Sequence, residues 1–258
     1  MSLVERLFSM NGKIALVTGA GTGIGRRFAE TLAAAGARVI CVARNRARLD
    51  QVVESIHAAG GSAHAITGDI GSVTSVEDVF NAAESVYGRV NVLVNCAAQV
   101  DFGVFPEVGE DAWNNLVNVN LSGLMRMCRS FSRRLIENKE PGSIINVTSI
   151  TGTQVIVGMP GYCTLKAATT QLTRVMAADM FGHNIRVNAI SPGYFKTEMA
   201  SILFESEAGR AMIEKHPLKR LGNVEELDGP LLLLASDASS HINGSVITVD
   251  AGHSIQLH

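Results

Sequence analysis

The chain has 258 residues, 47% of them hydrophobic, and balances 22 Lys and Arg against 24 Asp and Glu for a formal net charge of −2. That near-neutral balance gives no field suited to nucleic acid or an anionic membrane. Its apolar runs, Leu231 to Ala235 among the longest, fall far short of a bilayer span. The opening MSLVERLFSMNGK lacks the basic head and apolar core of a secretory signal, so a cytoplasmic protein is expected.

In chain order, short β-branched apolar runs recur: IALVT from Ile14, RVICVA from Arg38, AHAIT from Ala63 and VNVLVN from Val90. SIINVTS from Ser143, IRVNAIS from Ile185 and SVITVD from Ser245 follow. They are apolar on both parities, as strands covered on both faces should be. Helical periods lie between them. Ile24, Phe28, Leu32 and Ala35 form one stripe; Leu49, Val52, Val53 and Ile56 a second; Val76, Val79, Phe80 and Ala83 a third. One long helix is predicted from Asp111, with Trp113, Leu116, Asn120, Leu124, Met127, Phe131 and Leu135 on one side. Another follows Tyr162, with Gly182 as its stop. Strand and helix alternating without a linker or repeat predict a single doubly wound α/β domain over residues 1–258. It would hold a seven-stranded parallel sheet with helices on both faces.

The four cysteines, Cys41, Cys96, Cys128 and Cys163, lie in apolar segments and never in C-x-x-C spacing. They read as reduced, mostly buried thiols, with Cys163 placed where a pocket would reach it. No His/Cys group has zinc spacing: His183, His216, His241 and His253 are scattered, and no metal is expected.

The first strand runs into Thr18-Gly19-Ala20-Gly21-Thr22-Gly23-Ile24-Gly25 and then a helix. Glycines at that junction allow a tight turn and let a pyrophosphate approach the helix N-terminus. Alone such a loop is weak evidence; between a strand and a helix of a βαβ unit it predicts dinucleotide binding. At the end of the second strand, where NAD-binding folds carry an acid for the ribose 2′-hydroxyl, the chain reads Arg44-Asn45. A guanidinium suits a 2′-phosphate, so NADP(H) is favoured over NAD(H).

Ser149, Tyr162 and Lys166 are the third signal. Tyrosine and lysine four apart share one helix face. A nearby ammonium stabilises a phenolate, which would let Tyr162 exchange a proton with an alcohol or ketone, while Ser149 hydrogen-bonds the same oxygen. The bare pair reads equally as a tyrosine packed under a solvated lysine. Ser149 could equally cap a turn, and Asn120 could bond a neighbouring backbone group.

Taken together these motifs resemble the short-chain dehydrogenase/reductase family over nearly the whole chain. The T-G-x-x-x-G-x-G motif matches Thr18, Gly19, Gly23 and Gly25, and the Asn-Ser-Tyr-Lys tetrad matches Asn120, Ser149, Tyr162 and Lys166. The resemblance implies a Rossmann domain and places Asp69 and Ile70 at the adenine, with Asn95 and Ala97 after the fourth strand also at the cofactor. It puts Pro192, Gly193, Phe195 and Thr197 near the nicotinamide, and implies a homotetramer. In the implied mechanism Lys166 holds the cofactor ribose and depresses the Tyr162 pKa, and Asn120 anchors a water leading from Lys166 to solvent. One stretch departs from the family: Asn95-Cys96-Ala97-Ala98 stands where many members read N-N-A-G. Ala98 would be strained if that position needs φ > 0.

Substrate choice is expected from residues 155–159 and from a lid at about 193–220, with Tyr194, Phe195, Met199, Ile202, Leu203, Phe204 and Met212. Val155, Ile156, Val157 and Met159 add to a mostly apolar set, which favours a small or medium ketone. A 3-oxoacyl thioester ranks second and a keto-sugar acid third, because the second half resembles 3-oxoacyl-carrier-protein-reductase-like and gluconate-5-dehydrogenase-like branches. A carrier protein would want a basic face, for which Arg126, Arg129, Arg133 and Arg134 are candidates, diluted by Glu137 and Glu140. A dinucleotide sensor without turnover would be expected to lack one of Ser149, Tyr162 or Lys166, and a hydrolase would need a G-x-S-x-G elbow that is missing.

Overall fold

Seven short strands, apolar on both sides, can only be stable with both faces covered, and the chain solves this with one parallel sheet. The computed structural model describes residues 2–198, 200, 204 and 206–255. The strands are β1 (Ile14–Thr18), β2 (Arg38–Ala43), β3 (Ser62–Thr67), β4 (Val92–Asn95), β5 (Gly142–Val147), β6 (Ile185–Pro192) and β7 (Val246–Val249). Their order is β3-β2-β1-β4-β5-β6-β7, every pair parallel. Strand order reverses between β1 and β4, so the connections from those two strands lead to opposite faces of the sheet and leave a crevice at its carboxyl edge.

After a short leading helix α1 (Leu3–Phe8), helices α2 (Gly23–Ala34) and α3 (Arg46–Ala58) cover one face, joined by the helix Asp228–Ala235; Phe28, Leu32, Leu49, Val52 and Leu231 form that core. The other face carries α4 (Val73–Tyr87), α6 (Leu124–Asn138) and α7 (Pro160–Asp179), with Phe80, Met127, Phe131 and Leu135 fully buried. The three predicted stripes on α2, α3 and α4 are the faces that bury. No helix among the described residues is long and apolar enough to cross a membrane.

Two expectations need correction. The long helix from Asp111 is two helices, α5 (Glu110–Val117) and α6, separated by a π turn at Asn118–Gly123. Side-chain bonds reach across that turn: Asn118 Nδ2 donates to Gly71 O at 3.0 Å, and Arg126 Nη1 to Asn118 Oδ1 at 2.9 Å. Gly123 is squeezed there, since a Cβ would stand 2.9 Å from Ile70 O. The second correction concerns the stop after Tyr162: α7 ends at Asp179, a 3₁₀ turn covers Phe181–His183, and Asn184, not Gly182, takes the left-handed conformation (φ 56°).

A buried polar network ties the strands to the helices that carry the site. Asn95 Nδ2 donates to Asn146 Oδ1 at 3.0 Å, and Asn146 Nδ2 donates to Thr173 Oγ1 at 2.9 Å. Asn146 and Thr173 are wholly buried and Asn95 nearly so. Replacing Asn146 by Val should therefore remove both bonds, leaving Asn95 Nδ2 with only the Cys128 sulfur at 3.1 Å and Thr173 Oγ1 with only its donation to Thr169 O, and cost about 1–2 kcal/mol. Urea unfolding would measure it; a loss below about 0.5 kcal/mol would show the network to be dispensable.

Candidate active site

The crevice collects residues from the carboxyl ends of six strands. Its lining includes Gly19, Thr22, Gly23, Ile24 and Gly25 after β1, Arg44 after β2, Asp69 and Ile70 after β3, and Ala97 after β4. Ser149, Tyr162 and Lys166 line the same cleft, as do Pro192, Gly193, Phe195 and Thr197. Among the residues expected at a cofactor, Gly21, Asn45 and Asn95 do not line it. Asn45 caps α3, its side chain accepting from Arg48 N at 3.1 Å, and Asn95 turns inward to Asn146.

Two glycines show why the first turn must be bare. A Cβ on Gly19 (φ 69°) would lie 2.9 Å from the Ala97 backbone, and one on Gly25 would lie 2.2 Å from Gly19 O. The loops after β1 and β4 thus approach backbone to backbone. Thr18 Oγ1 secures that approach by accepting from Cys96 N at 3.1 Å and Ala97 N at 3.2 Å. Thr197 stands over the same turn, 3.2 Å from where a Gly23 Cβ would be. Ala98 does not adopt a positive φ, so the strain expected from replacing a family glycine is absent. Cys96 lines the cleft while Cys163 does not, reversing the expectation for the thiols; burial pushes the Cys96 thiol up to about 12.

Three arginines follow β2, and their partners differ. Arg46 pairs with Asp50 at 2.8 Å and Arg48 with Glu198 at 2.9 Å. Arg44 lines the cleft, is exposed, and has no ion-pair partner among the described residues. A bare cradle of backbone ending at an uncommitted guanidinium fits a dinucleotide bearing a 2′-phosphate.

Ser149 follows β5 at the start of a 3₁₀ turn, Ile150–Gly152, and its Oγ accepts from Thr151 N at 3.2 Å. The turn-capping reading of Ser149 is therefore real, but its hydroxyl also hydrogen-bonds Tyr162. Lys166 lies one turn beyond Tyr162 on α7, its Nζ 5.4 Å from the Tyr162 ring centroid and donating to Val147 O at 2.8 Å. Burial raises the Tyr162 pKa to about 12, only partly opposed by the Ser149 bond, and lowers that of Lys166 to about 8. The predicted depression of the tyrosine by the lysine is overturned here: removal from water outweighs any charge effect. Tyr162 is held as a protonated phenol.

Asn120 is buried on the π turn but does not line the cleft. Its Oδ1 accepts from Gln99 N and its Nδ2 donates to Gln99 O, both at 2.8 Å, so the amide grips the loop after β4. The bond is to backbone 21 residues away, not to a helical neighbour.

The same loop supplies a residue that sequence reasoning missed. Met159, at the N-cap of α7, makes no side-chain cap bond. Asp101 does the capping from a distance: Oδ2 accepts from Gly161 N at 2.7 Å and Oδ1 from Tyr162 N at 2.9 Å. Two of the helix's orphan donors are satisfied, and a negative charge meets the positive end of its dipole. A carboxylate sixty residues upstream gives no local capping signal. Sequence spacing could not have found it.

The predicted lid is described in part. Phe195 bridges to Gly222, and the helix Glu207–Lys215 carries Met212. Tyr194 and Phe204 line the cleft, whereas Met199, Ile202 and Leu203 lie outside the described residues. Of the proposed basic face, Arg134 binds Glu77, Glu84 and Asn81 and Arg126 is held by Asn118, whereas Arg129 and Arg133 are exposed.

Residues 19–254 match the family model described as "Enoyl-(Acyl carrier protein) reductase". The chain belongs to the short-chain dehydrogenase/reductase family. It is 32% identical over 251 residues to the 2-dehydro-3-deoxy-D-gluconate 5-dehydrogenase of Dickeya dadantii (strain 3937), covering 97% of this chain and 98% of that one. Against the 3-oxoacyl-acyl-carrier-protein reductase of Thermotoga maritima it is 33% identical over 243 residues, 94% of this chain and 98% of the relative. A crystal structure of a gluconate 5-dehydrogenase from Burkholderia cenocepacia J2315, in complex with NADP and tartrate, matches with a TM-score of 0.93 at 30% identity. That match covers 98% of this chain and 100% of the other. As a family member the chain is an NAD(P)-dependent oxidoreductase of the ketone and alcohol class.

Two predictions follow from this geometry. Asp101→Ala should lose about 1–2 kcal/mol of stability and about tenfold in turnover, with Asp101→Asn recovering most of both, since one oxygen still accepts. Equal loss in the two variants, by thermal melts and steady-state rates, would refute a capping role. For Lys166, the fold carries a buried ammonium below about pH 8 that the unfolded chain does not. Between about pH 8 and 10 the folded lysine sheds its proton while the unfolded one, near 10.5, keeps it, so stability should rise. Tyr162, raised from 10 to about 12, opposes this only above pH 10. Lys166→Met should hence be more stable than wild type by about 2 kcal/mol at pH 7, after allowing for the lost Val147 bond, with the gap closing by about pH 10. Denaturant midpoints that stay flat across that range, with no gap to Lys166→Met that closes, would show the lysine to be solvated.

Proposed function

We propose that this protein is an NADP(H)-dependent ketoreductase in which Tyr162, Ser149 and Lys166 act on a carbonyl, working in the cytoplasm as a homo-oligomer. The observation that supports it most is the meeting, in one cleft, of the Ser149–Tyr162–Lys166 cluster with the bare turn after β1. Nicotinamide, when bound, supplies the hydride that the protein itself cannot. Everything else falls to side chains. Ser149 Oγ orients the carbonyl oxygen. Tyr162 Oη, kept protonated by burial, gives its proton to that oxygen as negative charge develops on it. An alkoxide is far more basic than a phenol, so the transfer runs downhill. Lys166, one turn away, holds positive charge beside the phenolate that results and steadies the cofactor ribose.

On this reading Asn120 works through the loop after β4, by clamping Gln99, and Arg44 faces the 2′-phosphate. Gly19, Gly23 and Gly25 admit the pyrophosphate, Asp69 and Ile70 border the adenine, and Pro192, Gly193, Phe195 and Thr197 border the nicotinamide. The lid, about residues 193–220, would cover the substrate; Arg48 on α3 is tethered to it through Glu198. The relatives named for NADP and for reductase or dehydrogenase chemistry agree with this assignment. Met125 and Val175, exposed on α6 and α7, suit helix pairing between subunits, as the family likeness implies.

Consumption of NADPH and NADH with a panel of ketones tests the reading. Tyr162→Phe should lose at least about a thousandfold in turnover while still binding cofactor. Arg44→Glu should cut the preference for NADPH over NADH by about tenfold or more, because a charge-assisted bond is replaced by repulsion. Wild-type preference for NADH would refute the role of Arg44 alone. Undiminished turnover in Tyr162→Phe would refute the mechanism.

A further inference from the structure

Beyond Tyr162, the substrate end of the cleft is bounded by Phe102 from the loop after β4, Ile156 and Met159 from the loop after β5, and Tyr194 and Phe204 from the lid. The only cations lining the cleft among the described residues are Arg44, at the far end, and Lys166, buried on α7. The lid residues outside the described set, Met199, Ser201, Ile202, Leu203 and Glu205, contribute no lysine or arginine either. An anionic substrate would have nothing to pair with.

Outside the cleft the same two loops continue as an apolar surface. Gly103 N donates to Gly158 O at 3.0 Å, which stitches them together. Phe102 is 58% exposed, Phe105 76%, Val155 85% and Val157 92%. Side chains of this kind held in water by two bridged loops make a patch, not a scatter. It is continuous with the site, because Phe102 and Ile156 belong to both loops and line the cleft. The two loops themselves carry charge of one sign. From Val90 to Met125 the sequence has no Lys or Arg, but Asp101, Glu107, Glu110 and Asp111; from Ser149 to Leu165 it has no charge at all. Glu107, Glu110 and Asp111 are exposed and have no ion-pair partner among the described residues.

From these observations we infer that the substrate is an uncharged ketone with an apolar arm, its carbonyl at Tyr162 and its arm running out over Phe102 and Ile156 onto the bridged loops. This rests on the ketoreductase reading above and sharpens it. It also separates this chain from a sugar-acid dehydrogenase, whose carboxylate would meet the acidic rim without a partner. An acidic carrier protein would be repelled at the same rim.

Three compounds test it with the full-length enzyme and NADPH: ethyl acetoacetate, its free acid acetoacetate, and ethyl benzoylacetate. The neutral ester should exceed the acid in kcat/KM by about tenfold or more, with the gap shrinking as salt is raised. The aryl arm should add a further advantage. Phe102→Ser, at an exposed position that folding tolerates, should reduce kcat/KM for ethyl benzoylacetate about tenfold more than for ethyl acetoacetate. Val157→Arg should narrow the ester-to-acid gap by placing a cation on the rim. Calorimetric titration of the NADP-loaded Tyr162→Phe enzyme should rank the three compounds in the same order. Equal rates for ester and acid, or a Phe102→Ser effect independent of the arm, would overturn the inference and leave the ketoreductase reading intact. Dissociation of an oligomer by Phe102→Ser in sedimentation would assign the patch to a second copy of the chain and overturn it too. Turnover of none of the three, with Tyr162→Phe binding none, would remove the underlying reading and the inference with it.

Discussion

The site is built around one constraint, an ammonium group kept out of water. Lys166 is 6% exposed, donates to one carbonyl and faces a tyrosine ring; such a charge destabilises the fold unless the surroundings are rigid enough to hold it. The rigidity is visible in the elements around it. β5 ends at Val147, whose carbonyl receives the lysine, and the 3₁₀ turn that follows presses against the same stretch of α7; a Cβ on Gly152 would stand 3.1 Å from the Lys166 carbonyl carbon. Thr148 Oγ1 meets Thr170 Oγ1 at 3.0 Å on the next turn of that helix. Strand, turn and helix are fixed to one another around the least stable group in the chain. Stability is exchanged for chemistry at this place, as functional sites commonly require.

That arrangement has a second anchor in the loop after β4, which touches the site at three points. Thr18 ties its start to the turn after β1, Asn120 clamps Gln99, and Asp101 caps α7 at Tyr162. The loop therefore couples the cradle expected to take a cofactor to the helix expected to do the acid chemistry. It also supplies Phe102 to the cleft wall. One irregular segment sets cradle, acid and wall, which gives a physical reason for its bonds to be so many.

Much of this was legible in the amino-acid order, and the unread part has a common cause. Strands such as IALVT and RVICVA announce themselves because burial on both faces demands apolar residues at every position. Tyr162 and Lys166 are four apart on one helix, so their proximity is a local property. Asp101 and Asn120 could not be read that way: they act across 60 and 21 residues, and only the fold brings the partners together. The π turn was hidden because Leu116, Asn120 and Leu124 keep a helical spacing through it; the cause of the wider turn lies in Gly71 and Gln99, outside the helix. The tyrosine pKa failed for another reason. Charge proximity can be inferred from spacing, but desolvation cannot, and here desolvation is the larger influence.

The relatives bear names that span sugar acids and acyl-carrier-protein substrates, although the solved gluconate 5-dehydrogenase shares this chain's fold. The division of labour in the fold explains how. On the proposed reading, hydride and proton transfer need only the backbone cradle after β1 and three side chains at the carboxyl end of β5 and the start of α7, beside the buried network of Asn95, Asn146 and Thr173. Nothing in that network reaches the outer wall of the cleft. Phe102, Ile156 and Tyr194 sit on loops held by backbone bonds such as Gly103 to Gly158 and Gly222 to Tyr194, and by side-chain bonds of neighbours such as Asp101 and Gln154. Side chains there can change in size or charge without disturbing the acid, because a backbone bond is indifferent to what the residue carries. Reaction type is thereby held by the core, and substrate choice is left to a rim that the core does not constrain.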